Sequence, residues 1–387
     1  MTTIDTTAQT ASTQAPSTQT PSAGTTPTIP DPAAPPDLDM DAVMAFVMRS
    51  VEELGASLNT SLVVMGDQLG YYRSLVADGP ATAAELAART RTDLHYTREW
   101  LNAQAAGDYL RYDPASGRFT LPPEHAIALA QEDSPVYLPG FFQLVEGTIR
   151  DAPAIRRAAR SGGGFGWDAH NSDVHVGCER FFRPGYEANL VTAWLPALDG
   201  VVDKLTAGAR VADVGCGHGA STILMAQAFP ASTFVGSDYH AGSVQTARAR
   251  AEEAGVADRV TFEHADAASF TGTDVDLVTM FDCLHDMGDP VGAARHVRQA
   301  MAPGGTWMVV EPLAGDAPEE NFNPVGRAYY AFSTLLCTPN SLSQDVGLAL
   351  GTQAGPARLQ EVITTGGFST VTKVAETPFN MVLEARP

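Results

Sequence analysis

The sequence is short of positive charge. Lys and Arg together number 24 against 45 Asp and Glu, only Lys204 and Lys373 are lysines, and the formal net charge is −21 over 387 residues. A protein that grips nucleic acid must neutralise phosphates with cations, so this balance argues against a polyanion as partner and favours a small or apolar one. Cysteine is also scarce: Cys178, Cys216, Cys283 and Cys337 are widely spaced and form no C-x-x-C pair. That argues against a zinc ribbon and a disulfide framework and fits a reducing, cytoplasmic setting. No apolar run reaches the roughly 18 residues of a membrane-spanning helix. The first residues lack the charged-then-apolar order of a secretory leader.

Residues 1–38 are almost entirely Thr, Ser, Ala, Pro and Gln. They hold too few apolar side chains to offset ordering entropy and read as a disordered tail. Residues 39–125 are patterned as helices followed by a hairpin. Ala42 to Leu54 is amphipathic, and Leu58 to Leu69 is apolar enough to be buried. Thr82 with Glu85 three positions on opens a short helix as a capping box. A longer helix runs from Leu94 to Ala105. Tyr109 to Tyr112 and Phe119 to Leu121, flanking Asp113–Arg118, read as a two-stranded wing. The pattern is that of a winged helix. Residues 40–130 carry seven arginines, no lysine and eleven acids, a net of −4. The presumed recognition helix offers Arg98 and His95 against Asp93 and Glu99. Groove entry needs a basic face, so the domain reads as a dimerisation and lid module. The apolar stretch Leu58 to Leu69 points to a homodimer built on it.

Residues 126–195 read as a helical linker contributing to a substrate pocket, with Gly162 to Gly166 as a mobile loop. From 196 the pattern becomes α/β. An apolar strand, Val211 to Val214, ends in Gly215-Cys216-Gly217-His218-Gly219. An amphipathic helix follows, then a second strand, Ser232 to Gly236, that reaches Asp238. This is a βαβ unit of a Rossmann-like doubly wound sheet, with a nucleotide-type crevice at its strand tips. Asp238 stands where a carboxylate can accept both ribose hydroxyls. The string also fits G-x-G-x-x-A, so a dinucleotide must be weighed. Asp213, two residues before the first glycine, opposes it: like charges about 4 Å apart repel by about 4 kcal/mol at an effective dielectric near 20. S-adenosylmethionine brings an ammonium and a sulfonium and no phosphate, and Asp213, Asp238 and Asp266 suit it.

Together with DVGCGHG, the acidic GSD at 236–238, HADA at 264–267 and APGGTWMVVEP at 302–312 make residues 196–387 resemble the class I S-adenosylmethionine-dependent methyltransferases. The resemblance assigns cofactor binding to Asp213, Gly215, Cys216, Gly217, Asp238, Tyr239, His240, Asp266, Ala267, Phe281 and Asp282. It also implies a terminal antiparallel hairpin, matched by the alternating tail from Phe368, and an insertion over 313–355. Leu284-His285-Asp286 resembles the LHD segment of small-molecule O-methyltransferases, which carry a winged-helix domain in front of the catalytic one. That family's histidine removes the acceptor's proton, and a glutamate matching Glu311 orients it. His285, with an unperturbed pKa near 6.5, would be substantially neutral at cytoplasmic pH. Met287 stands where the family has Trp, and Phe281-Asp282-Cys283 also departs from it, which leaves the acceptor type open. His285-Asp286-Met287-Gly288-Asp289-Pro290 also resembles an actinobacterial group of winged-helix methyltransferases. For the acceptor pocket the aromatic candidates are Phe142, Trp167, Phe182, Tyr186, Tyr329, Tyr330 and Phe332. O-methylation of a small aromatic or apolar metabolite is the favoured reading. Its rivals are C-methylation of a keto acid, with His240 and His285 on a metal, and a ligand-sensing transcription regulator. No third ligand is identifiable, so no metal is assigned.

Overall fold

The computed structural model describes residues 38–387, and the tail read as disordered lies, but for Leu38, outside them. The chain divides after Val51, with residues 52–387 forming one compact unit. A single helix, Met40–Gln68, runs through that boundary. Two helical segments were expected there. Gly55 between them meets nothing within 4 Å, so its only cost is intrinsic helix propensity, about 1 kcal/mol, and the helix continues.

The winged-helix pattern is present. Helices Tyr71–Ala77, Ala83–Thr90 and Leu94–Ala106 precede the antiparallel pair β1 (Arg111–Asp113) and β2 (Arg118–Thr120). Thr82 and Glu85 form the reciprocal capping box, and Asp93 caps the longer helix through the amides of His95 and Tyr96. Val63, Tyr71, Tyr72, Trp100 and Leu101 fill the core of this part. Long helices Pro139–Ser161 and Ser172–Asn189 follow.

The remaining strands build one sheet: β3 (Arg210–Val214), β4 (Thr233–Asp238), β5 (Val260–His264), β6 (Val275–Phe281), β7 (Met301–Pro312), β8 (Thr370–Glu376) and β9 (Asn380–Arg386). Their order is β5-β4-β3-β6-β7-β9-β8, with β3 to β7 parallel and β9 antiparallel to both β7 and β8. The expected α/β class and terminal hairpin are thus observed. Val211 faces one core layer, while Ala212 and Val214 face the other. Burial on both faces is why this strand reads as a continuous apolar run. The order reverses between β3 and β6, which leaves a crevice outside their carboxyl ends. Among the described residues no helix is long and apolar enough to cross a membrane.

A buried acid joins the winged helix to the linker helices. Asp67 accepts from Arg73 Nη1 at 3.0 Å, from Arg180 Nη2 at 2.8 Å and from the Tyr137 hydroxyl at 2.9 Å. Arg180 also donates to Gln143 Oε1 at 2.9 Å. Removing one partner of a buried pair strands the other's charge. Asp67→Ala is therefore expected to lower stability by about 3 kcal/mol, read from the denaturant midpoint, with Asp67→Asn losing less.

Candidate active site

The glycine turn is fixed from below. Asp213 is fully buried, and its carboxylate accepts from Ser221 Oγ (2.6 Å), Thr222 Oγ1 (2.5 Å) and Thr279 Oγ1 (2.8 Å). Burial raises its pKa and the three hydroxyls oppose that rise. It does not line the crevice, so the repulsion argument made from it does not apply. Much of the turn's own backbone is already engaged. Here Gly215 and Cys216 donate to Ser237 O, Gly219 donates to Cys216 O, and Gly217 donates to Asp238 Oδ2 at 2.9 Å. Gly215 has φ +75°, and a Cβ there would lie 2.8 Å from Cys283 Sγ.

Asp238 ends β4 with its second oxygen accepting from His240 N at 2.8 Å. Two amides thus hold the carboxylate at the crevice. Burial pushes its pKa up, against those two amides. His240 lies outside the crevice wall: its Nδ1 pairs with Ser243 Oγ and caps the helix Ala241–Glu253, and its ring stacks on His175 at 4.3 Å.

The crevice encloses about 660 Å³, the size of a small-molecule site. Gly215, Cys216, Gly217, Asp238, Tyr239, Asp266, Ala267, Phe281 and Asp282 all line it, as do Trp167, Phe182 and Tyr186 among the aromatic candidates. Phe142, Tyr329, Tyr330 and Phe332 do not. Phe142 packs on the winged-helix core, Phe332 packs on Phe141, and Tyr329 donates from its hydroxyl to Phe379 O at 3.0 Å. Tyr330 is half-buried on the same helix, Pro324–Phe332.

Sequence reasoning missed the roof of the site. Asn340 and Gln344, from the insertion, line the crevice beside Met287. Asn340 Oδ1 accepts from Trp167 N at 2.9 Å and from the Tyr239 hydroxyl at 3.0 Å, and its Nδ2 donates to Asp286 O at 3.2 Å. The loop Gly162–Gly166, expected to be mobile, is held by this roof. Phe165 N donates to Pro339 O at 2.8 Å, and a Cβ at Gly164 would lie 2.0 Å from Ser343 N. Among the described residues no Lys or Arg lines the crevice, whereas Glu179, Asp238, Asp266, Asp282, Asp286, Asp289 and Asp345 do.

Beyond β6 the chain bends at Asp282 (φ +50°) into the short turn Leu284–Asp286. Phe281 is in register with Val310 on β7, which sets Glu311 beside this turn. Glu311 Oε2 meets His285 Nδ1 at 2.5 Å, and its Oε1 accepts from Leu284 N at 2.9 Å. His285 and Glu311 are thus brought together as their spacing in sequence suggested, but both are buried and neither lines the crevice. The Cys337 thiol lies against the ring. Burial disfavours charge on His285, but Glu311 and Cys337 outweigh it and hold the ring's pKa well above its usual value. Among the described residues no group of three or more His, Cys, Asp and Glu side chains could hold a metal ion.

Residues 205–339 match the family described as a methyltransferase domain, and residues 57–131 match the Rv2258c-like winged HTH domain. The 27-O-demethylrifamycin SV methyltransferase of Amycolatopsis mediterranei is 34% identical over 139 residues, 34% of this chain and 51% of that protein. The chain thus spans about half the length of that curated relative. The mitomycin 7-O-methyltransferase superposes with a TM-score of 0.64 at 19% identity, covering 90% of this chain and 100% of the other. Human N-acetylserotonin methyltransferase, solved with S-adenosylmethionine, superposes with a TM-score of 0.64 at 16% identity, covering 91% and 99%.

Carboxyls at Asp213, Asp238, Asp282 and Asp286 all have raised pKa values, mainly through burial. A carboxyl that binds its proton more tightly when folded stabilises the fold below its unfolded pKa near 4. That stabilisation is lost as pH rises through the folded value, about 7 for Asp286. The raised His285 acts with the same sign, its share being lost above neutrality. His170, His175 and His218, held below their usual value mainly by burial, act with the opposite sign up to their unfolded value near 6.5, so stability is expected to fall as pH rises from about 7 to 8. Urea titrations across that range check this, and stability rising over the interval would contradict the assignment.

Proposed function

We propose that this chain, which carries a winged-helix domain and an S-adenosylmethionine-dependent methyltransferase domain, transfers a methyl group to an oxygen of a small, aromatic or apolar metabolite. The observation that carries the reading is the amide-held carboxylate of Asp238 at the tip of β4, facing a crevice that no Lys or Arg lines among the described residues. Such a site receives a ribose and offers no cation to a pyrophosphate. Gly215, Cys216 and Gly217 would border the methionine portion, and Asp266 and Ala267 the adenine. Phe281 and Asp282 would close the wall nearest the sulfonium. Phe182, Tyr186 and Trp167 supply apolar area for the acceptor.

Methyl transfer to oxygen requires alignment of the nucleophile with the C–S axis, exclusion of water and removal of a proton. The turn at Leu284–Asp286 is the place proposed for the proton's removal, with His285 oriented by Glu311. The relatives' names, 27-O-demethylrifamycin SV methyltransferase and mitomycin 7-O-methyltransferase, favour oxygen as the acceptor atom and a ring-bearing metabolite as its carrier.

Calorimetry with S-adenosylhomocysteine tests the cofactor assignment. Wild type is expected to bind at micromolar concentration, and Asp238→Ala to weaken binding at least tenfold, about 1.4 kcal/mol. Tight NADH binding with no S-adenosylhomocysteine binding would overturn it. A radiolabelled methyl-donor screen of phenols, amines and keto acids then tests the acceptor class.

The proposed assembly is a homodimer through the N-terminal helix. The surface that supports it lies earlier than the sequence suggested. Val63 and Val64 are buried within the chain itself, while Met44, Met48, Val51, Leu54 and Leu58, on one side of Met40–Gln68, are exposed. An apolar row of that length on one helix is unusual for a surface left to water. Sedimentation of the full chain at micromolar concentration should give a dimer, and Val51→Glu with Leu54→Glu should give a monomer.

A further inference from the structure

Two side chains of the turn at Leu284–Asp286 can exchange protons, and they face different ways. His285 is turned away from the crevice, with Nδ1 on Glu311 at 2.5 Å and the Cys337 thiol against the ring. Asp286 lines the crevice together with Tyr239 and Met287. Its carbonyl is fixed by Asn340 Nδ2 at 3.2 Å and Gln344 Nε2 at 3.4 Å, so the roof sets the direction in which the carboxyl points. No Arg or Lys lies among the crevice's lining residues to lock that carboxyl into an ion pair.

We infer, on the methyltransferase reading above, that the Asp286 carboxylate is the group that takes the acceptor's proton, and that His285 is a positioning residue behind it. The acceptor O–H proton passes to an Asp286 oxygen as the acceptor's oxygen lone pair forms the bond to the methyl carbon. The C–S bond breaks with its electron pair staying on sulfur, which leaves a neutral thioether. Asp286 then releases the proton to water. A base must reach the acceptor's proton, and of these two side chains Asp286 lines the crevice and His285 does not.

The titration properties agree with the geometry. Burial pushes the Asp286 carboxyl up to about 7, with His285 lowering it and Glu311 raising it, which suits a general base working near neutral pH. The other groups facing it are Asp238 and Tyr239 from β4 and its loop, and the thiols of Cys178, Cys283 and Cys337. Because His285 holds the Asp286 value down, replacing His285 should raise it. Activity would then appear at higher pH without the pH dependence being abolished.

Infrared difference titration of the full chain with S-adenosylhomocysteine bound tests this directly. Wild type should show a protonated-carboxyl band that disappears as pH rises through about 7. Asp286→Asn should lack that band, and His285→Gln should shift its loss to higher pH. Calorimetry on the same samples reads the cofactor assignment separately. Failure to bind S-adenosylhomocysteine sinks the methyltransferase reading and this inference with it. Binding without an Asp286 band sinks this inference alone. With catechol as probe acceptor and labelled S-adenosylmethionine, Asp286→Asn should lose about 10² to 10⁴ in kcat and keep its S-adenosylhomocysteine affinity within about twofold. A variant at wild-type kcat, or a His285→Gln enzyme whose pH dependence is lost, returns the base to His285. If catechol is not methylated, the band decides alone.

Discussion

The carboxylate of Asp213, held under the glycine turn by three hydroxyls, is the contact on which the geometry of the site depends. Thr279 reaches it from β6, and Ser221 and Thr222 reach it from the first turn of the helix Ala220–Ala228. One buried acid thereby ties β3, β6 and the helix to a common point. Its place under a helix N-terminus adds favourable dipole energy, about 0.3–2 kcal/mol. With the turn fixed, Gly217 N–H points at Asp238, and that carboxylate is held by the backbone. The acid nearest the glycines therefore builds the turn, and the acid one strand away faces the crevice.

The same arrangement recurs on the other side of the crevice. Glu311 is buried on β7 with one oxygen on His285 and the other on the Leu284 amide. A buried ion pair whose remaining lone pairs are unsatisfied costs several kcal/mol. The Leu284 N–H supplies the missing donor and locks the turn at the end of β6 to β7. That lock turns the imidazole inward and leaves the next side chain, Asp286, facing the crevice.

Much of this was legible in the sequence because it is local. The strand, glycine turn, helix and second strand lie within thirty or so residues, and hydrophobic period with turn chemistry locates each part. The capping box at Thr82 and the wing are local in the same way. What sequence could not give is non-local. Asn340 reaches Trp167, 173 positions away in the chain, and Tyr239, 101 away. No periodicity records that pairing, so Gly162–Gly166 looked like a free loop and the roof was missed. Tyr329, Tyr330 and Phe332 were credited to the pocket because they cluster in the insertion. Clustering fixes the element, and the direction in which its helix faces depends on packing against Phe141 and Phe379. Asp213 was misplaced for a related reason: strand alternation puts it on one side of β3 but does not reveal that Thr279 on a neighbouring strand waits there.

The winged helix illustrates how charge pairing decides between uses of one fold. On the helix Leu94–Ala106, Arg98 contacts Glu99 and the His95 ring, and Asp93 sits at its N-cap, where it opposes an approaching phosphate. Arg118 of the wing is bound to Glu85 and to Pro80 O. Arg98 and Arg118 thus already have internal partners, and groove entry through them would first have to break those contacts. Asp67, by contrast, commits the domain inward, binding Arg180 on the helix whose Phe182 and Tyr186 wall the crevice. Through Asp67 the winged helix is thereby tied to the helix that walls the crevice.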